Sequence, residues 1–362
     1  MLFGKRLQRP QDSTKEAKNV GDKSASKKLR VGLVGAGVIG NVHRAVYEQL
    51  ADAEVVALAD PRGEEVLKQG GAAYVPGSSE VRARDLPVYK TLREMLAAQD
   101  LDVIDICTPT PFHRDVAVEA LGAGKHVLCE KPMGRTLADC DAILAATRAG
   151  KGKFMVAHCL RFWPVYEYLQ QVVTSGKYGR VERARFSRQV IVPAGGWFLD
   201  GKWSGGAILD LHIHDVDTAS WIMGPPRAVT AFGRIGPSGC HDQVEAIWHY
   251  GDDRMILLEA TWFRAAPGAF EMSFDVSLEG ATVTYNSSRK PDLHLCIPGQ
   301  EPIAPTVSTQ DGYFREIEYF VRAVLENRPI ERATPQSSRA SIALIESEIK
   351  SIESRSRLEF RL

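Results

Sequence analysis

Short apolar runs alternate with amphipathic stretches through roughly the first 150 residues. Val31 to Val34, Glu54 to Ala59, Asp102 to Cys107 and Lys125 to Cys129 are dominated by apolar and β-branched side chains. That is the pattern of strands buried on both faces. Between them, Asn41 to Leu50, Leu92 to Ala98 and Phe112 to Ala123 read as helices. Thr136 caps a further predicted helix with Asp139 in its first turn; Cys140, Ile143, Leu144 and Thr147 share one face, and Gly150 stops it. Strands alternating with helices predict an α/β domain built on a parallel, doubly wound sheet.

The pattern changes after residue 153. Arg161 to Val173 reads as a helix. Val181 to Val192, Ala228 to Ile235, Val244 to Tyr250, Met255 to Phe263 and Glu271 to Leu278 follow as strand formers in close succession. They predict a largely antiparallel sheet, interrupted by one helix around Ile208 to Met223. Two helices close the chain, with Phe314, Ile317, Val321 and Val324 on one face and Ile342, Ile345, Ile349 and Ile352 on the other. The expected division is a tail at 1–28, a first domain at 29–152 and a second at 153–362.

The tail follows from charge. Lys plus Arg equals Asp plus Glu at 45 each, but residues 1–30 hold nine basic and three acidic residues, a net of +6. This segment has little apolar content and reads as a solvated, flexible extension. The overall balance gives no electrostatic case for a nucleic-acid partner. No apolar run approaches the ~20 residues of a membrane span. The tail lacks the apolar core of a secretory signal. Cys107, Cys129, Cys140, Cys159, Cys240 and Cys296 show no metal-type spacing. They read as reduced thiols in a cytoplasmic protein.

Chemistry enters at Gly35-Ala36-Gly37-Val38-Ile39-Gly40, between the first strand and the first helix. A G-x-G-x-x-G run in that setting is a dinucleotide-binding turn. Gly35 permits the turn, Gly37 lets the backbone approach a pyrophosphate, and Gly40 lets helix and strand pack closely. Asp60 closes the next strand, 20 residues after Gly40. Its carboxylate can accept hydrogen bonds from the adenosine ribose and would repel a 2′-phosphate, which favours NAD; Arg62 leaves NADP open.

Two segments carry the reaction. Glu130-Lys131-Pro132 follows a central strand. The Lys131 ammonium can hold a substrate oxygen as hydride leaves, and a cis Lys131-Pro132 bond is expected to aim it inward. Further on, Gly205-Gly206 leads through Asp210 and His214 to Asp217. On one continuous helix Asp210 and His214 share a face at i and i+4, and an imidazole beside a carboxylate can shuttle a proton near neutral pH. His212 points elsewhere, and no metal site is expected. Trp197, Phe198 and Trp203 suit either a sugar face or a core.

With the glycine turn, Thr108-Pro109-Thr110-Pro111-Phe112-His113, the Gly124-Lys125-His126-Val127 strand leading to Glu130-Lys131-Pro132, and Gly205 through Asp217, residues 29–362 resemble the Gfo/Idh/MocA family of oxidoreductases. The resemblance implies a Rossmann domain followed by a C-terminal domain with a large open sheet, through which a homo-oligomer, a dimer or tetramer, commonly forms. It maps the catalytic lysine to Lys131 and the Asp/His pair to Asp210 and His214. It places Thr108, Pro109, His113, Glu130 and Lys131, with Val38 and Ile39 of the turn, at the cofactor, and Arg161 facing substrate with Asp210 and His214; Trp197 is a further candidate for lining the substrate pocket. The expected activity is hydride transfer between NAD(P) and a hydroxyl of a sugar, polyol or cyclitol. Two alternatives share the fold: a redox-neutral cycle using bound NAD for hydrolysis or isomerisation, and a non-catalytic sensor of NAD or sugar.

Overall fold

In the computed structural model, residues 28–68, 86–192, 196–264 and 270–361 are described. The expected tail at 1–28 lies almost wholly outside them.

The first sheet has six parallel strands: β1 (Leu29–Val34), β2 (Ala53–Ala59), β3 (Val88–Tyr89), β4 (Val103–Ile106), β5 (His126–Glu130) and β6 (Phe154–Ala157). Their order is β3-β2-β1-β4-β5-β6. The order reverses between β1 and β4, and the crevice above such a reversal is where doubly wound sheets bind ligands. The connecting helices are α1 (Val38–Tyr47), α2 (Leu92–Ala98), α3 (His113–Gly122) and α4 (Leu137–Ala149). Thr136 and Asp139 form a reciprocal capping box on α4, and Gly150 ends it. The first helix begins three residues before the expected Asn41, because Gly37 is its cap.

The second domain contributes α5 (Pro164–Thr174), β7 (Val181–Gln189), α6 (Gly201–Ser204), α7 (Ala207–Asp210) and α8 (Ile213–Met223). Then come β8 (Ala228–Ile235), β9 (His241–His249), β10 (Met255–Thr261), β11 (Glu271–Leu278), β12 (Ala281–Asn286) and β13 (Leu293–Cys296). The chain closes with α9 (Gly312–Leu325), α10 (Pro335–Ser354) and β14 (Leu358–Glu359). Eight strands form one sheet in the order β13-β12-β11-β7-β10-β9-β8-β14. Every pairing is antiparallel except β7 with β10. Alternate side chains such as Phe274, Val276, Ile256 and Leu258 are buried on its inner face. Its outer face carries exposed ion pairs, Arg183–Asp275 at 2.8 Å and Arg185–Glu259 at 2.7 Å. One face covered and one open is the usual state of an antiparallel sheet.

Three expectations need correction. The boundary drawn at 152 falls before β6, which pairs with β5 and belongs to the first sheet. The helix expected from Arg161 starts instead at Pro164, whose ring fixes the backbone for a first helical turn, after a single 3-10 turn at Cys159–Phe162. The helix expected around Ile208 to Met223 is two helices. The chain breaks at Leu211 and His212, where His212 N–H reaches Ala207 O at 2.8 Å. The buried His212 ring bonds Glu348 on α10 at 2.9 Å, which also accepts from Trp248 Nε1 at 2.7 Å.

The closing helices tie the halves together. Ile317, Phe320 and Val321 of α9 join Val31, Leu33 and Leu128 in one buried cluster, while α10 packs against both α4 and β8. No helix among the described residues is long and apolar enough to cross a membrane.

Candidate active site

The glycine turn has the geometry a dinucleotide needs. Gly35 has φ +92°, and a Cβ there would lie 2.7 Å from the Cys107 carbonyl. A Cβ on Gly40 would lie 2.2 Å from Gly35 O, so the packing of α1 on the turn requires glycine. Gly37 faces open space and caps α1 without a side-chain hydrogen bond. The first N–H groups of α1 are therefore available to an anion, with the helix dipole behind them. Thr108, after β4, has a buried hydroxyl with no partner beside this turn. An open cradle, free helix donors and an orphaned hydroxyl fit a dinucleotide pyrophosphate.

Asp60, at the end of β2, is buried and held on two sides. Oδ2 accepts from Ala36 N–H at 3.0 Å, and the Arg62 guanidinium binds both oxygens at 2.8 and 2.7 Å. Burial pushes this carboxyl up, but the Arg62 and Ala36 hydrogen bonds outweigh it and keep it ionised.

Lys131 directly follows the end of β5, and its peptide bond to Pro132 is cis. Its Nζ crosses to the second domain and donates to Asp210 O at 2.9 Å and Asp210 Oδ1 at 3.1 Å. Burial pulls the ammonium down, but Asp210 and Glu130 outweigh it, so its pKa is raised and it stays charged. The His214 ring lies in the same charged neighbourhood. Burial, then the charges of Lys131, Arg188 and His158, lower its pKa well below the ordinary imidazole value. Nδ1 of His214 is buried without a partner. The expected Asp210–His214 pair therefore takes another form: the break between α7 and α8 removes the shared face, and Asp210 bonds Lys131.

Two guanidiniums sit close by, each engaged by an aspartate. Arg161 binds Asp217 at 2.8 and 2.7 Å, with Ser341 completing that carboxylate at 2.9 Å. Arg188 binds Asp215 at 3.0 and 3.1 Å. Arg161 and Asp217 are both buried, and the guanidinium is engaged by that carboxylate. Arg161→Ala removes the guanidinium partner of a buried carboxylate, which is expected to cost about 3–5 kcal/mol. Urea unfolding checks this; unchanged stability with a raised substrate KM would restore the substrate-facing role.

His113 sits between Pro132 O and Thr108 O, both at 2.8 Å from its ring nitrogens, and so ties the loop after β4 to the loop after β5. Burial lowers its pKa despite those two carbonyls. A neutral ring donates to one of them at a time. Trp197 stacks on Phe198 at 4.3 Å, and Phe198 meets Trp262 edge-on. Trp203 meets Phe112 of the first domain edge-on at 5.3 Å.

Pattern reading missed His158 and the Arg188–Asp215 pair. His158 follows β6, with its pKa lowered to about 4, chiefly by burial. Its position just past a strand of the first sheet was the available signal, and it was lost with the strand. It also missed a buried group of His43, Glu130 and Glu316, whose members come from α1, β5 and α9.

The family model for the oxidoreductase family with an NAD-binding Rossmann fold matches residues 29–158, and the Gfo/Idh/MocA C-terminal domain matches 166–284. Inositol 2-dehydrogenase of Rhizobium meliloti is 29% identical over 90% of this chain and 97% of its own. Trans-1,2-dihydrobenzene-1,2-diol dehydrogenase of Mus musculus is 34% identical over 61% of this chain and 65% of its own. The fold matches a levoglucosan dehydrogenase solved with NADH and levoglucosan, with TM-score 0.80, 20% identity and coverage of 93% of this chain and all of that one. With both domain models in sequence along the chain, and an NAD-binding Rossmann fold as the first, this protein belongs to the Gfo/Idh/MocA family of oxidoreductases.

Proposed function

We propose that this chain is an NAD-dependent dehydrogenase that oxidises a CH–OH group of a neutral sugar, polyol or cyclitol. The observation that carries the reading is the Lys131–Asp210 contact across the domain interface, with the His214 ring beside it. NAD supplies the hydride acceptor when bound. The Lys131 ammonium holds the reacting oxygen and stabilises negative charge developing on it. The neutral imidazole of His214 takes the hydroxyl proton as the substrate C–H bond gives up its hydride, leaving a carbonyl. Asp210 keeps Lys131 charged and aimed. Arg161 and Arg188 are already engaged by aspartates, which favours an uncharged substrate over a sugar acid.

A panel of inositols, sugars and sugar acids with NAD or NADP tests this, read as reduced-cofactor absorbance. NADH accumulating with neutral polyols supports the reading. Turnover of a sugar without net NADH would favour the redox-neutral cycle. Ligand binding with no turnover of any panel member would favour the sensor. Asp60 favours NAD over NADP. Asp60→Ala is expected to raise KM for NAD about tenfold, from the loss of charge-assisted bonds to the ribose; an unchanged NAD/NADP preference would contradict that role.

The same reading includes a homo-oligomer through the open sheet, where Phe232 and Met255 are exposed on β8 and β10. It also includes a cytoplasmic setting, in keeping with six free thiols.

A further inference from the structure

Behind the reactive lysine, on the far side of Glu130, lies a buried group of ionisable side chains. His43 Nδ1 contacts Asp105 Oδ2 at 2.9 Å, and its Nε2 contacts Glu130 Oε1 at 3.3 Å. The other oxygen of Glu130 accepts the Lys131 backbone N–H at 2.9 Å. Glu316 of α9 completes the group: ligand-type atoms of His43, Glu130 and Glu316 lie within 4.8 Å of one another. Glu316 is fully buried, and neither of its oxygens has a hydrogen-bond partner.

Three carboxyls therefore surround one imidazole, and two already hold that ring. A third ionised carboxylate there would be both unpaired and desolvated, among the costliest arrangements a core can hold. We propose that Glu316 is a positioning residue of the reaction: as a neutral acid it keeps its proton and offers the O–H to Glu130 as a hydrogen-bond donor, and through Glu130 it fixes the main chain that aims Lys131. The proposal rests on the catalytic role of Lys131 argued above. It gives α9, from the far end of the sequence, a purpose beyond packing.

The electrostatics agree. Burial, then the charge of Glu130, pushes Glu316 well above the usual carboxylate range, with His43 opposing. Burial also pushes Glu130 up, but His43 and Lys131 outweigh it and hold its pKa down. The environment thus pushes two neighbouring carboxyls in opposite directions. Tyr47 and Cys107 face the same group, and both are raised, first by burial.

The test uses the full chain with NAD and the variants Glu316→Gln and Glu316→Leu. Glutamine keeps a donor of the same shape, so kcat is expected within about threefold of the parent. Leucine removes the donor, and kcat is expected to fall about 10²-fold with KM for NAD little changed, because Lys131 loses its aim rather than the cofactor its site. Infrared spectroscopy of the parent should show the carbonyl band of a buried protonated carboxylic acid, lost in Glu316→Gln. That band is read without substrate, so it separates failure of this proposal from failure of the dehydrogenase reading. If the leucine variant does not fold, the glutamine variant and the band still decide. Absence of the band, or a glutamine variant with a 10²-fold loss, would overturn the proposal. So would one divalent ion per parent chain that disappears in Glu316→Gln, since a histidine and two carboxylates this close also make a metal-ligand set.

Discussion

Lys131→Ala is expected to bind NAD normally and to lose turnover by about 10²-fold or more. On the proposed reading the glycine turn, the N–H groups of α1 and Asp60 hold the dinucleotide without Lys131, so cofactor affinity measured by fluorescence should hold. The ammonium is different. It is kept charged by Asp210 and Glu130 against the pull of burial, and its charge matters most as the substrate oxygen becomes more negative. An interaction that strengthens in the transition state appears in kcat rather than in KM. Lys131→Arg should not restore the rate, because a planar guanidinium cannot reproduce a compact charge bonded to both Asp210 O and Oδ1. Unchanged turnover in Lys131→Ala would remove it from the mechanism.

His214→Asn should cost about 10²–10⁴-fold in oxidation, the range for loss of a positioned base. The acidity profile gives a second signature. An isolated imidazole gains its proton near pH 6.5. In the folded protein burial and the charges of Lys131, Arg188 and His158 lower that point well below 6.5. A lowered value extends the neutral, proton-accepting form to more acidic solution. The acid limb of kcat/KM should therefore fall well below pH 6.5. Removing a neighbouring positive charge reverses part of the shift, so the residual activity of Lys131→Ala should lose rate at a higher pH than the parent. A limb at or above 6.5 in the parent would mean that another group takes the proton.

Much of this molecule was legible in the residues, for identifiable reasons. Strands of the first sheet are buried on both faces and read as continuous apolar runs, so four of its six strands could be placed from pattern alone. Leu92–Ala98 and the capped helix after Thr136 carried local signals that tertiary packing did not override. The glycine turn and the lysine before Pro132 were visible because their chemistry needs those residue types in sequence. What escaped depended on contacts distant in sequence. Periodicity put Asp210 and His214 on one helical face, but the pairing of His212 with Glu348 and the turn at Leu211 break that helix. Arg161 looked free for substrate because its partner Asp217 is 56 residues away. The strands Ala281–Asn286 and Leu293–Cys296 went unread because each alternates polar and apolar side chains over a short run, with one face buried and the other not. Glu316 sat on the polar side of an apparently amphipathic helix, and only the fold reveals that this side faces Glu130 and His43.

In the proposed mechanism two groups, contributed by separate domains, meet at one substrate oxygen. A crystal structure of the ternary complex with NADH and a bound cyclitol measures this directly. Lys131 Nζ and a ring nitrogen of His214 should both lie within about 2.6–3.2 Å of the same oxygen, with that carbon over the nicotinamide. A bound cyclitol whose reacting oxygen is reached by only one of them, with the other turned to a different part of the cleft, would contradict the mechanism.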